Sequence, residues 1–247
     1  MSQLNGKTIL VTGANRGIGA AVVRELLKTG ATKIYAAARN TATLPDFGDA
    51  RVHALTLDIR DEASITAAAT AAADTDVLIN NAGTAMFANF IDSPLDVIKA
   101  DMDTNYYGTL NVIRAFLPHF TRRGAGTIAN VSSVVGLTSS PPLPGYSASK
   151  AALHSLTQNL RLTLHGTGVK VLGIYPGPIE TELWAGNGPA VKASAESTAE
   201  LIVAGIAKGD TYIFPDPVAQ YIGKLWETDG RTLDVALANR AEQVEPA

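Results

Sequence analysis

The 247-residue chain is 46% hydrophobic and 17% charged, which supplies a sizeable buried core and excludes a disordered or collagen-like protein. Its formal net charge of −3 gives no footing for a polyanionic partner such as nucleic acid. With no cysteine and four histidines that do not cluster at ligand spacing, disulfides, thiolate nucleophiles and a metal site are not expected.

The first ten residues lack the basic flank and long apolar stretch of a secretory segment. The longest charge-free run, 124–149, is broken by Pro141, Pro142, Pro144 and several serines, so it does not read as a membrane span. A cytoplasmic protein with no membrane association is the expectation. In chain order, short apolar runs at Thr8–Val11, Lys33–Ala37, Val52–Leu57, Val77–Ile79, Gly126–Val131, Lys170–Ile174 and Tyr212–Phe214 read as strands. Most are continuous rather than alternating, the pattern of parallel strands covered on both faces. Helical stretches fall near Gly17–Lys28, Glu62–Ala73, Pro94–Thr121 and Ser147–Leu164, with Gly30 and Gly166 in the places where a left-handed residue ends a helix.

Such alternation predicts an α/β fold: a Rossmann-type doubly wound sheet of about seven mainly parallel strands with helices on both faces. Only Asn40 to Arg51 joins the second strand to the third, interrupted by Pro45, Asp46 and Gly48, so a full crossover helix is not expected there. No linker or internal repeat divides the chain, and one domain over 1–247 is expected. A further helical stretch should follow Asp229-Gly230-Arg231, to about Arg240.

Thr12-Gly13-Ala14-Asn15-Arg16-Gly17-Ile18-Gly19 lies between the first strand and the first helix. Glycines let the backbone approach a pyrophosphate, and the helix N-terminus offers unpaired N–H groups with a favourable dipole. In this context the motif predicts nucleotide binding at Gly13, Asn15, Arg16, Gly17, Ile18 and Gly19. The second strand ends in Arg39 with no carboxylate, whereas an acid there would grip a ribose 2′-hydroxyl and repel a 2′-phosphate. Arg39, with Arg16 from the other side, suits the 2′-phosphate unless both are solvated surface charges.

Further along, Asn80-Asn81-Ala82-Gly83 ends the fourth strand, and Tyr146 stands four residues before Lys150, on one face of a helix. Ser133 lies thirteen positions before Tyr146, just after the fifth strand. Together with the Gly-x-x-x-Gly-x-Gly loop, these motifs resemble the single-domain branch of the short-chain dehydrogenase/reductase family, over Lys7 to about Thr181.

The resemblance implies a catalytic set of Asn105, Ser133, Tyr146 and Lys150 and an NADP(H) preference, with NAD(H) not excluded. It places the adenine at Asp58 and Ile59, cofactor-lining backbone at Asn81, Ala82 and Gly83, and the nicotinamide beside Pro176, Gly177, Ile179 and Thr181, with pro-S hydride delivery. Tyr146 would exchange the proton, its pKa of near 10 lowered by the Lys150 ammonium and the positive nicotinamide of the oxidised cofactor. Ser133 would orient the substrate oxygen, Lys150 would also hold the nicotinamide ribose, and Asn105 in a kinked helix would anchor a water beside the lysine. The implied activity is carbonyl reduction, reversible as alcohol oxidation. An NAD-linked alcohol dehydrogenase and a non-catalytic nucleotide-binding regulator are the alternatives, the latter opposed by the presence of both Tyr146 and Lys150.

Glycines and a proline around Trp184 suggest a lid near 182–193. Met86, Val135, Leu143, Leu183 and Trp184 are candidates for an apolar substrate pocket, although Trp184 serves equally as an oligomer contact or core filler. The resemblance implies a homo-oligomer, dimer or tetramer. The family's frequent Asp-Gly-Gly ending is missing.

Overall fold

Strands expected from their apolar runs take up the sheet in the computed structural model, which describes residues 4–182 and 192–235. The chain runs β1 (Thr8–Thr12), α1 (Gly17–Leu26), β2 (Lys33–Ala38), β3 (Val52–Thr56), α2 (Glu62–Ala71), β4 (Val77–Asn80) and α3 (Leu95–Asp101). A π-helical segment, Met102–Gly108, leads into α4 (Thr109–Arg123), β5 (Gly126–Val131), α5 (Pro144–Thr163) and β6 (Val169–Ile174). β7 (Ile179–Glu180), β8 (Ala193–Ser194), α6 (Ala195–Lys208), β9 (Tyr212–Ile213) and α7 (Pro217–Asp229) follow.

Seven strands form one sheet in the order β3-β2-β1-β4-β5-β6-β9, every pair parallel, and β7 with β8 makes a separate small ribbon. The order reverses between β1 and β4, and such a switch point opens a crevice at the carboxyl ends of the strands. Side chains two apart along a strand share a face. Ile9, Val11, Ile34, Ala36 and Ile79 therefore pack under Val22 and Leu26 of α1 and Ile202 and Ile206 of α6. Leu10, Ala37, Leu78 and Ile128 pack on the opposite face under Ile65 of α2, Phe116 and Phe120 of α4 and Leu160 of α5. A third, smaller cluster joins Val134 and Tyr175 to Ala219 and Ile222 of α7.

Several local expectations change. The β3 residues are all half-buried or exposed, because β3 is the sheet edge and its approach is only a 3₁₀ turn at Thr41–Thr43. Gly166 is left-handed (φ +78°), but Gly30 is not among the residues of positive φ. At Gly30 the Asn5 side chain occupies the space a Cβ would fill, so a larger residue there would displace Asn5. The helix expected over Pro94–Thr121 is interrupted by the π segment.

Two helices are additional to the sequence reading. Helix α6 is capped by Ser194, which accepts from Ser197 N at 3.0 Å, and closed by left-handed Gly209. Helix α7 starts with Asp216 as cap and Pro217 in its first turn. No helix among the described residues is long and apolar enough to cross a membrane. The stretch expected to continue to about Arg240 lies largely outside the described residues.

Candidate active site

At the switch point, side chains and backbone bind β1 to β4. Thr12 Oγ1 accepts from Asn81 N and Ala82 N, both at 2.9 Å, while Asn81 Nδ2 donates to Thr12 O at 2.9 Å and Gly13 O at 3.2 Å. Gly13 turns the chain with φ +65°, and a Cβ on it would stand 2.9 Å from Ala82 Cα. Gly17 also has positive φ, at +52°. The N-cap of α1 is Arg16, which makes no side-chain capping bond, and no acid stands in the first turn. The helix therefore presents its first N–H groups to the crevice, the arrangement that receives a phosphate.

A cleft of about 500 Å³ extends from this loop past the ends of β1, β4 and β5. Every residue expected at the cofactor lines it, from Gly13 through Arg39, Asp58 and Ile59, Asn81 to Gly83, to Pro176, Gly177, Ile179 and Thr181. Asn40, Thr43 and Arg60 join the Arg39 end, where sequence reading did not place them. Arg39 is exposed and available. Arg16 is engaged differently: its Nη1 meets Glu182 Oε2 at 2.7 Å, with both side chains more than half exposed. Such a pair is worth little in solvent and yields readily to a better anion.

At the other end of the cleft, α5 carries Tyr146 and Lys150 one turn apart, with Lys150 Nζ 5.5 Å from the Tyr146 ring centroid. Lys150 is buried and donates to Val131 O at 2.8 Å. Ser133 follows β5 and donates from Oγ to Pro176 O at 3.2 Å. Ser133, Tyr146 and Lys150 thus line the same cleft as the glycine loop.

Asn105 sits in the π segment, wholly buried and outside the cleft lining. Its Nδ2 donates to Thr84 O and Ser149 Oγ, both at 2.9 Å, and its Oδ1 accepts from Thr84 N at 2.9 Å. Both amide protons are engaged, and the π segment interrupts the helix at the place where the resemblance implies a kink. Asn105 clasps the segment after β4 to α5.

One turn earlier, Asp101 is fully buried, accepting from Thr84 Oγ1 at 2.8 Å and Met86 N at 3.0 Å. Sequence reading missed Asp101, Thr84 and Ser149. The available signal was an acid four residues before Asn105, on the same helix face.

Packing around the cleft pushes the Tyr146 phenol up to about 12, with hydrogen bonding to Ser133 acting downward and the Asp101 charge upward. Burial pulls Lys150 down to about 8 against the opposing Asp101 carboxylate. Burial is the largest influence on both groups in the protein without cofactor. Burial also raises the Asp101 carboxyl, opposed by Met86 N, Thr84 and Lys150.

Of the candidate substrate-pocket residues, Val135 lines the cleft. Leu143 is instead fully buried as the N-cap of α5, and Met86 is 41% exposed outside the lining. Leu183 and Trp184, with most of the expected lid, lie outside the described residues. No group of three or more His, Asp or Glu that could hold a metal occurs among the described residues.

A phosphate-receiving loop opening onto a phenol, an ammonium and a hydroxyl places this fold among the nucleotide-dependent oxidoreductases. The model of the short chain dehydrogenase family matches residues 7–192, and the chain belongs to that family. It is 36% identical over 194 residues to an NADP-dependent 3-hydroxy acid dehydrogenase of Schizosaccharomyces pombe, covering 74% of this chain and 75% of the relative. A short chain dehydrogenase from Burkholderia cenocepacia J2315 in complex with NADP superposes with a TM-score of 0.87 at 33% identity, covering 99% of this chain and all of that one. A 3-ketoacyl-(acyl-carrier-protein) reductase from Brucella melitensis complexed with NADH superposes at 0.76 with 26% identity, covering 88% and 93%.

Proposed function

We propose that this oxidoreductase is an NADPH-dependent carbonyl reductase, reversible as an alcohol dehydrogenase, acting on an apolar ketone or aldehyde. The observation that carries the reading is the convergence of Ser133, Tyr146 and Lys150 on the cleft that the glycine loop opens. The fit to a dinucleotide is physical: uncapped N–H groups at α1, close backbone contact at Gly13, and the Arg39 cation at the far end.

The glycine loop would hold the pyrophosphate, Arg39 the 2′-phosphate, Asp58 and Ile59 the adenine, Lys150 the nicotinamide ribose, and the 176–181 backbone the carboxamide. When bound, NADPH supplies the hydride. Tyr146 supplies the proton: its raised pKa keeps the phenol protonated at neutral pH, the state that reduction requires. Ser133 exchanges its bond to Pro176 O for the substrate oxygen and stabilises the charge that builds there.

Turnover is tested by following NADPH oxidation across a panel of apolar ketones and aldehydes and determining product chirality. Chiral alcohol produced with NADPH is the expected result. A parent that binds NADPH yet turns over no member of a broad panel overturns the reductase reading. A second reading, an NAD-linked alcohol dehydrogenase, holds if Arg16 stays paired with Glu182 when the cofactor binds.

A further inference from the structure

After β6 the chain enters the cleft wall as Tyr175-Pro176-Gly177-Pro178. Consecutive residues there are tied to different parts of the molecule. Tyr175 N donates to Ile213 O at 2.8 Å, and Pro176 O accepts from Val134 N at 3.0 Å and from Ser133 Oγ at 3.2 Å. Gly177 N donates to Asp216 Oδ2 at 2.7 Å. Since proline has no N–H, Gly177 supplies the only amide donor of the Pro-Gly-Pro stretch, and it is directed at Asp216.

Asp216 is 2% exposed, and its Oδ1 accepts from Ala219 N at 2.8 Å, capping α7. Burial pushes its carboxyl upward against the N–H groups of Gly177, Ala219 and Val218. A serine caps a helix about as well as an aspartate without placing a charge in the interior. A buried carboxylate therefore has a second task here, which the geometry identifies as the bridge to Gly177. Glycine at 177 belongs to the same device: a Cβ there would stand 2.6 Å from Asp216 Oδ1 and 3.0 Å from Val218 Cβ.

We propose that Asp216 is a positioning residue of the active site, anchoring the Gly177 peptide so that Pro176 O orients the Ser133 hydroxyl and the loop backbone faces the nicotinamide. The proposal rests on the reductase reading for its catalytic consequence, and on the apoprotein for its structural one. Asp216→Ser separates the two tasks, because its hydroxyl still caps α7 but is too short to bridge to Gly177 as well.

In the apoprotein, amide hydrogen exchange at Gly177 should quicken by about tenfold or more in Asp216→Ser, while α7 amides keep their protection. NADPH binding should weaken about tenfold, with affinity for 2′,5′-ADP, the adenosine half alone, unchanged. In turnover kcat should fall, and the fall should exceed any rise in KM for the carbonyl substrate. Should the serine variant fail to fold, Asp216→Thr keeps a capping hydroxyl that is likewise too short to bridge to Gly177, and the same split between NADPH and 2′,5′-ADP is expected.

Gly177 exchange equal to the parent's, or equal weakening of NADPH and 2′,5′-ADP, overturns the proposal. A parent that binds no NADPH would instead defeat the reductase reading, and the exchange measurement would still report on the Asp216 bridge.

Discussion

The two ends of the cleft are built from different materials. The glycine-loop end is mostly backbone: helix N–H groups, two glycines of positive φ, and Asn81 holding Thr12 O and Gly13 O. The opposite end is mostly side chain. Tyr146, Lys150, Ser133, Asn105 and Asp101 come from three segments and are held by Val131 O, Pro176 O, Thr84 and Ser149. A backbone site keeps its shape through most side-chain changes, so its selectivity resides in exposed cations such as Arg39. A side-chain site is coupled, and one substitution alters the charge state of its neighbours.

The sharpest way to break this contrast is Tyr146→Phe, at the side-chain end. Carbonyl reduction should fall by about 10³-fold or more, with NADPH affinity within about twofold of the parent. A fully active variant would remove Tyr146 from the chemistry. Next in size is Arg39→Asp at the backbone end, where KM for NADPH should rise about 10- to 100-fold with kcat little changed. Equal affinities of the parent for NADH and NADPH would count against the 2′-phosphate assignment.

The smallest expected effect is a shift in pH dependence. Reduction requires a protonated phenol and a cationic Lys150, so the rate should fall as pH rises through about 8. In Asp101→Asn the amide can still accept from Met86 N and donate to Thr84 Oγ1, but the charge that raises the lysine is gone. The alkaline limb should then move to lower pH by about one unit, read from kcat against pH. A limb that stays in place or moves upward would sever Asp101 from Lys150.

Legibility followed the same division. The seven sheet strands and the lack of a full helix in the 40–51 crossover could be read directly, since buried parallel strands are apolar runs and a crossover helix needs length. Gly13, Gly17 and the Tyr146–Lys150 spacing were equally visible, because phosphate approach and a shared helix face are local requirements. Helix α6 was missed although Ser194 and Gly209 mark its ends. The exposure of β3 was hidden, because edge position depends on the order of the whole sheet.

Local chemistry was therefore settled by the amino-acid order itself: which runs become strands, where the backbone can turn left-handed, and which side chains share a turn. Tertiary structure alone decided that Arg16 meets Glu182, that Asn105 holds Thr84, and that Asp216 reaches Gly177. It also decided the direction of the Tyr146 shift, which is upward. These outcomes depend on burial and on partners 21 to 166 positions away, and neither exists until the sheet has assembled.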